Sequence, residues 1–443
     1  MQVTFIKPTL GSLDSGERFV DEGRMEPLSL GILAGLTPPG VDCRLFDDRI
    51  DEIDYDEPTD LVAINIETFT ARRAYEIAAE YRARRVPVVM GGMHATLLPD
   101  EVAGHADAVY TGDGEALWSQ VVADAHAGRL RPRYDGAFGI PQPGVMPRRD
   151  LYAGKKYLPV SLIQFGRGCR YHCEYCAVGE YFDHCQYTRP VAEVVAEIAA
   201  QPRRDLFFVD DNLTANPEAA KELLRALIPL KIRWVSQVSV DHTRDPELMR
   251  LFVESGCIGN VIGFESLNIE NLRKMRKAPN LAAFDGYTEV IATLRENHLQ
   301  TWAAFALGYE QDTAESILET CEWGISNHFT FAAFNVLMPY PSTPFYKRLL
   351  AEGRLLYDGR WWLHPDYRFN HAAFRPKQMT ADELTETAWA CRRRWSSRAS
   401  ILKRAMDLRT NLATPFRFAT YVVYNPLFRR EAFKRQGMRL GTR

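Results

Sequence analysis

Three of the chain's eight cysteines stand together: Cys169, Cys173 and Cys176, spaced C-x3-C-x2-C in the run Gly168-Cys169-Arg170-Tyr171-His172-Cys173-Glu174-Tyr175-Cys176. Thiolates are soft ligands suited to iron–sulfur clusters. Three of them on one short loop leave the fourth iron of a 4Fe–4S cluster without a protein ligand, and an open metal position can bind a substrate. Zinc sites more often show paired C-x2-C or Cys/His halves. No second pair follows here, so a zinc tetrad would have to recruit His172 or His184. Cys185 follows closely enough to be mistaken for a fourth ligand; it is grouped instead with the scattered Cys43, Cys257, Cys321 and Cys391, expected to be buried small hydrophobes. A disulfide framework is not expected in a chain this long and apolar.

Such a loop needs a rigid frame. From Val160 to about Pro344 short apolar runs predict strands at Val160–Phe165, Leu206–Val209, Trp234–Val238, Val261–Phe264, Thr301–Leu307 and Phe331–Met338. Helical patterns fill the gaps: Ala192–Ala200, Pro217–Leu227, Pro246–Ser255, Leu281–Glu296 and Ala314–Ile325. Six βα units predict a full or partial barrel, with chemistry at the C-terminal ends of its strands, where the triplet falls. Upstream, strands at Val3–Lys7, Cys43–Phe46, Leu61–Ile66, Val86–Met90 and Ala108–Tyr110 alternate with helices at Pro27–Leu36, Ala71–Arg84 and Glu115–Ala127. That rhythm predicts a parallel sheet with helices on both faces, binding ligands beyond its strands' carboxyl ends. Pro and Gly concentrate between Tyr134 and Pro159, which reads as a linker over residues 136–159. The expected organisation is residues 1–135, 160–345 and a helical, basic domain over 346–443.

The 443 residues exceed one typical domain. With 46% hydrophobic and 25% charged residues a sizeable core is available, and a net charge of −3 gives no global sign of a nucleic-acid binder. No signal peptide is seen, and no apolar run approaches the roughly 18–20 residues of a spanning helix. A cytoplasmic protein is expected.

The triplet, with aromatic Tyr175 before its third cysteine, resembles the signature of the radical S-adenosylmethionine superfamily. The resemblance runs from Val160 to Pro344 on further landmarks: Phe208-Val209-Asp210-Asp211-Asn212, Gly263-Phe264-Glu265-Ser266, Phe305-Ala306-Leu307-Gly308-Tyr309 and Pro339-Tyr340-Pro341-Ser342-Thr343-Pro344. It implies a 4Fe–4S cluster on Cys169, Cys173 and Cys176, with S-adenosylmethionine chelating the open iron and releasing a 5′-deoxyadenosyl radical. By the same resemblance Asp210, Asp211 and Asn212 lie near the methionine amino group, Glu265 meets the ribose or methionine moiety, and residues 305–309 lie near the adenine. Read bottom-up, Asp210 and Asp211 serve equally as helix caps, and Glu265 at a buried strand end needs a partner of some kind. Gln237 reads either as pocket lining or as a satisfied surface group.

The first domain resembles the cobalamin-binding, Rossmann-like domain that precedes many such enzymes. The matching pieces are Glu26-Pro27-Leu28-Ser29-Leu30-Gly31, Glu67-Thr68-Phe69-Thr70, Gly91-Gly92-Met93-His94-Ala95-Thr96 through Pro99, and Thr111-Gly112-Asp113-Gly114-Glu115. Gly91, Gly92, Gly112 and Gly114 would let a large planar ligand approach the backbone, and the hydroxyls of Thr68, Thr70 and Thr96 would bond a cofactor tail. The cobalt-ligating Asp-x-His-x-x-Gly of cobalamin mutases is absent, so no cobalt ligand is named; His94 is expected to be structural.

From Ala390 onward 14 Lys/Arg face two acids, Asp407 and Glu431. Arg392, Arg393, Arg394, Arg398, Lys403, Arg404, Arg429, Arg430, Lys434 and Arg435 are interleaved with Phe416, Phe418, Tyr421, Tyr424 and Phe428. This basic tail reads either as a contact for an anionic membrane surface or substrate, or as the solvated face of a helical lid. The expected activity is cobalamin-dependent methylation of an unactivated carbon, on a small-molecule or lipid-like substrate, with electrons from a flavodoxin or ferredoxin. Radical cyclisation, rearrangement or oxidation without methyl transfer uses the same two domains, and sequence alone does not separate them.

Overall fold

A computed structural model describes residues 1–13, 15–17, 19 and 24–442. The chain divides into two compact units. The first holds Met1–Leu158 with Tyr357–Phe369 and the residues from Gly437; the second holds Pro159–Leu356 and Asn370–Gln436. The stretch 346–443, expected to be a domain of its own, is thus shared out between the two.

In the first unit the strands are β1 (Gln2–Lys7), β2 (Gly11–Ser12), β3 (Asp42–Asp47), β4 (Leu61–Asn65), β5 (Val88–Gly91), β6 (Ala108–Thr111) and β7 (Arg133–Asp135). Six of them form one parallel sheet in the order β3-β1-β4-β5-β6-β7. The order reverses at β1, so the switch point of this doubly wound sheet lies between β1 and β4. Helices Leu28–Leu36 and Trp118–His126 pack Leu30, Ala34, Trp118, Val121 and Val122 against Val3, Phe5, Leu61 and Ala63 on one face. Thr4, Ile6, Val62 and Ile64, which point the other way, are buried too, so both faces are covered.

β7 lies outside every strand predicted from the sequence, being three residues long with charge at both ends. It is held by Tyr134, whose buried hydroxyl donates to Asp124 at 2.9 Å. The supposed linker is packed as well: Tyr152 is buried and its hydroxyl donates to the Pro27 carbonyl at 3.0 Å, while Arg149 pairs with Glu26.

The second unit carries β8 (Ser161–Ile163), β9 (Gly166–Gly168), β10 (Gln186–Thr188), β11 (Asp205–Phe208), β12 (Arg233–Val238), β13 (Cys257–Glu265), β14 (Gln300–Leu307) and β15 (Phe331–Val336); β16 (Arg439–Leu440) returns to pair with β2 in the first unit. Six strands form a parallel sheet in strictly sequential order, β8-β11-β12-β13-β14-β15, with edges at β8 and β15. Its core is aromatic: Phe208, Trp234, Phe264, Phe305 and Phe334 from successive strands. Helix starts are set locally. Asn216 and Asp245 accept from the N–H groups of Ala219 and Leu248 at 3.3 and 3.0 Å, each just ahead of a proline in the first turn. The expected helix Leu281–Glu296 is broken into Ala278–Ala283 and Tyr287–Glu296 by a 3-10 turn at Phe284–Gly286, ending on glycine.

At Gly112 the backbone has φ +76°, and a Cβ there would lie 2.0 Å from the Gly136 carbonyl oxygen. Gly112→Ala is expected to cost about 2–4 kcal/mol, read as a lowered midpoint in thermal or urea unfolding; an unchanged midpoint would refute this packing role.

Candidate active site

Two residues after β8 the chain turns into β9, which pairs antiparallel with β10, so the loop carrying the three cysteines is closed at its base by a small ladder. Gly168 takes φ +81°, and a Cβ on it would sit 2.1 Å from the Cys185 carbonyl oxygen, so glycine is required where the loop opens. The end of β11 supplies the other fastening. Asp210 accepts from the backbone N–H groups of Phe165, at 3.1 Å, and Gly166; Asp211 accepts from the N–H of Gly168 at 2.8 Å. Burial pushes the Asp210 carboxyl up to about 7, against the pull of those two N–H donors. Burial also raises Asp211.

The middle of the loop is tied elsewhere. The Glu174 N–H donates to the Met275 carbonyl at 3.1 Å, and the Glu174 carbonyl accepts from Phe345 at 2.9 Å. The buried Glu174 carboxylate pairs with Arg348 at 2.6 Å and accepts from the Tyr309 hydroxyl. Arg348 in turn reaches Glu310 at 2.8 Å. Thr343 caps the helix Pro344–Ala351 that presents Arg348, accepting from the Tyr346 N–H at 3.2 Å.

Held this way, Cys169, Cys173 and Cys176 line one cavity of about 160 Å³ together with Tyr175, Asp211, Asn212, Gln237, Glu265 and Lys277. Its apolar walls include Val178, Val238, Val261, Pro279 and Ala304. The thiols border the space without converging on a point: among the described residues no three His, Cys, Asp or Glu side chains are placed to hold a single metal ion. Spread thiols suit a cluster, in which each iron takes one of them. Burial raises all three thiols, Cys173 to about 12, while Lys277 pulls the other way. A metal cluster would replace those protons and supply the missing charge compensation. In the zinc alternative His172 and His184 would be ligands; instead their rings lie 3.9 Å apart and His184 Nδ1 meets the Tyr171 carbonyl at 3.2 Å.

Glu265 enters through a distortion. β13 breaks register with β14 between Gly263 and Glu265, and Glu265 adopts φ +63°. A Cβ on Gly263 would lie 2.2 Å from the Glu265 carboxylate, so this glycine makes room for the acid. Lys277 Nζ meets Glu265 at 2.7 Å and the Tyr175 hydroxyl at 3.5 Å. Burial opposes the ammonium, but Glu265, Tyr175 and Cys173 hold Lys277 charged, above the ordinary lysine range. Burial, with Glu265 adding to it, holds the Tyr175 hydroxyl protonated. The result is an ion pair beside three thiols, able to meet both ends of a zwitterion.

The structure thus gathers most of the residues expected here around the cavity and places the others beside it. Asp210 does not line the cavity; its carboxylate is spent on the backbone ahead of the cysteines. Residues 305–309 do not line it either. Gly308 and Tyr309 donate N–H groups to Asp312 at 2.8 and 3.1 Å, and Tyr309 is buried against Glu174. Cys185, expected to be buried, is exposed and lies outside the cavity, and Cys43 is only partly covered. Lys277 and Glu174 were missed. Glu174 carried one signal, a charge inside a cysteine-rich loop, which must find a partner if buried; Lys277 carried none.

In the first unit the other expected residues gather at one end of the sheet, after β4, β5 and β6. Their polar groups are largely used within the chain. Thr68 bonds His94 Nδ1 at 3.2 Å, and His94 Nε2, fully buried, meets Glu101 at 3.0 Å, a carboxylate also held by Tyr75 and Trp362. Thr70 accepts from the Glu67 N–H, and Thr96 accepts from the Gly112 N–H. Gly91 is close to Tyr110, Gly92 has φ +106° against Ile66, and Gly114 abuts Leu33.

Residues 163–324 match the Radical SAM superfamily. This part of the chain is a radical S-adenosylmethionine domain, and the protein is an enzyme of that kind, working with a 4Fe–4S cluster and S-adenosylmethionine. Bacteriochlorophyllide d C-12(1)-methyltransferase of Chlorobaculum tepidum is 29% identical over 399 residues, which cover 87% of this chain and 86% of that one. Bacteriochlorophyllide d C-8(2)-methyltransferase of the same organism is 29% identical over 359 residues, covering 75% and 78%. Among solved structures, the radical S-adenosylmethionine methyltransferase TsrM from Kitasatospora setae, with cobalamin and a 4Fe–4S cluster bound, aligns with a TM-score of 0.62 at 18% identity, covering 79% of this chain and 78% of that chain. That is a likeness of fold.

Removing the Glu174 carboxylate leaves Arg348 with Glu310 but frees the loop between its cysteines. Glu174→Ala is expected to lower stability by about 1–3 kcal/mol and to reduce iron retained per chain after anaerobic reconstitution and desalting. Full iron retention with a lowered midpoint would show that Glu174 serves the fold without positioning the cysteines.

Proposed function

We propose that the protein is a cobalamin-dependent radical C-methyltransferase acting on an unactivated carbon of a small apolar substrate, a tetrapyrrole or other lipid-like molecule. The observation that carries this reading is the match to a named methyltransferase over 87% of the chain, which spans both units. The doubly wound sheet with a glycine-rich carboxyl end supports a planar cofactor in the first unit. The sequential sheet of the second supports a partial (β/α)6 barrel.

When bound, the 4Fe–4S cluster and S-adenosylmethionine supply a 5′-deoxyadenosyl radical, and cobalamin supplies the methyl group. The chain's part is placement and exclusion. Cys169, Cys173 and Cys176 would hold three irons of the cluster, leaving the fourth open to the methionine group. Glu265 and Lys277 offer opposite charges to its ammonium and carboxylate, and Asp211, Asn212 and Tyr175 orient them. Asp210 is a positioning residue, acting through the backbone of Phe165 and Gly166. Val178, Val238, Val261 and Pro279 keep water from the reacting atoms. Thr68, Thr70, Gly91, Gly92, Gly112 and Gly114 border the cobalamin edge. Electrons come from a flavodoxin or ferredoxin in the cytoplasm. No helix among the described residues is long and apolar enough to cross a membrane.

Two measurements test the reading. Cys176→Ala should retain less iron and stop 5′-deoxyadenosine formation, dropping it by at least about a hundredfold; continued formation would overturn the cluster assignment. Wild-type protein purified anaerobically with cobalamin supplied should carry about one cobalamin per chain and pass labelled methyl from S-adenosylmethionine to a tetrapyrrole or lipid-like acceptor. An intact cluster without cobalamin would sink methyl transfer and favour radical rearrangement or oxidation.

A further inference from the structure

The last two helices of the second unit, Arg398–Ala405 and Pro415–Arg435, are joined by the turn through Asp407. They lie together: the Tyr421 hydroxyl donates to the Ile401 carbonyl at 2.7 Å, and Arg404 is fully buried between them, donating to the carbonyls of Phe329 and Thr330 and to Asn425. The inward face is therefore polar and satisfied. The outward face is apolar. Leu402 is 69% exposed, Met406 72%, Leu408 75%, Phe418 47%, Val422 48% and Val423 62%. Leu402 and Met406 are one turn apart at the end of the first helix, as are Phe418 and Val422 on the second, and apolar side chains this exposed on two packed helices mark an interaction surface.

Charge says what covers it. Arg398, Lys403, Arg409 and Arg429, which flank the apolar residues along these two helices and their turn, are exposed. The acids nearby are already neutralised. Buried Asp407 meets Arg295 at 3.3 Å and the Thr410 hydroxyl, buried Glu431 pairs with Arg435 at 3.1 Å, and Asp205, facing Tyr424, is clamped by Arg233 at 2.6 Å. Part of the tail's positive field is likewise internal: Arg392 donates to the Phe334 carbonyl, and Arg394 pairs with Glu322. What remains outside is an apolar patch with a basic rim. A second copy of the chain would bring like charges together. We infer that this face docks on an anionic lipid bilayer, with Leu402, Met406, Leu408, Phe418, Val422 and Val423 in the headgroup–acyl boundary and the arginines and lysine on lipid phosphates. The protein is then held at a membrane surface without spanning it. The docking stands independently of the methyl-transfer reading.

Full-length, cluster-loaded protein is sedimented with vesicles of phosphatidylglycerol and phosphatidylcholine, and with phosphatidylcholine alone. Binding to the anionic vesicles is expected, weakening as salt rises toward roughly 0.5 M, where screening is strong. Leu402→Glu with Val423→Glu, on the exposed face, should lower the partition coefficient by about tenfold or more, with 5′-deoxyadenosine production and unfolding midpoint unchanged. A Val423→Trp variant should show an emission blue shift on anionic vesicles only. The inference is overturned by any of three results: no sedimentation of wild-type protein with anionic vesicles, equal binding by the double variant, or light scattering showing a dimer that the double variant dissolves.

Discussion

The carboxylates at the end of β11 accept hydrogen bonds from the backbone N–H groups of Phe165, Gly166 and Gly168, immediately ahead of the first cysteine. The site depends on this contact. A loop holding three thiols has little regular structure of its own, and ordering each residue costs about 1–2 kcal/mol of backbone entropy. It is ordered here because strand ends that exist for other reasons grip it from outside. The grip at Asp210 and Asp211 sets where the loop begins, the β9–β10 ladder closes its base, and Glu174 holds its middle. The cysteines follow from their neighbours.

The same logic explains the distorted end of β13. A register break and a left-handed Glu265 are costly on their own. Together with Gly263 they turn a carboxylate into the cavity, where Lys277 meets it. An unpaired charge so placed would be expensive to bury, and the pair relieves that while leaving both groups able to meet a zwitterion. The site therefore carries its counter-charges before any cofactor arrives, so less must rearrange on binding.

In the first unit two of the glycines expected to admit a cofactor, Gly92 and Gly112, turn out to be demanded by the chain itself. Gly92, Gly112 and Gly114 lie against Ile66, Gly136 and Leu33, and Thr70 and Thr96 satisfy backbone groups. Their presence is compatible with a ligand at the carboxyl edge, but the fold alone accounts for them. His94 belongs with them, locked between Thr68 and Glu101 in the interior.

The strand and helix pattern was legible because buried parallel strands are continuous apolar runs and their helices repeat at 3.6 residues. All eleven expected strands exist, and the cysteine spacing alone pointed to a cluster. Short elements were not legible: β7, β9 and β10 have three residues each, too few for a period, and exist because neighbours pair with them. Nor did the chain announce that its last hundred residues are divided between two units, since that division rests on contacts closed through space. Only the tertiary structure decided that Asp210 is spent on the backbone of Phe165 and Gly166 while Asp211, which also holds the Gly168 N–H, borders the cavity. It alone placed Lys277 and Glu174, whose roles depend on partners 12 and 174 residues away in sequence. Local spacing encodes what neighbouring residues can do together; contacts closed through space are encoded only by the packing of the whole.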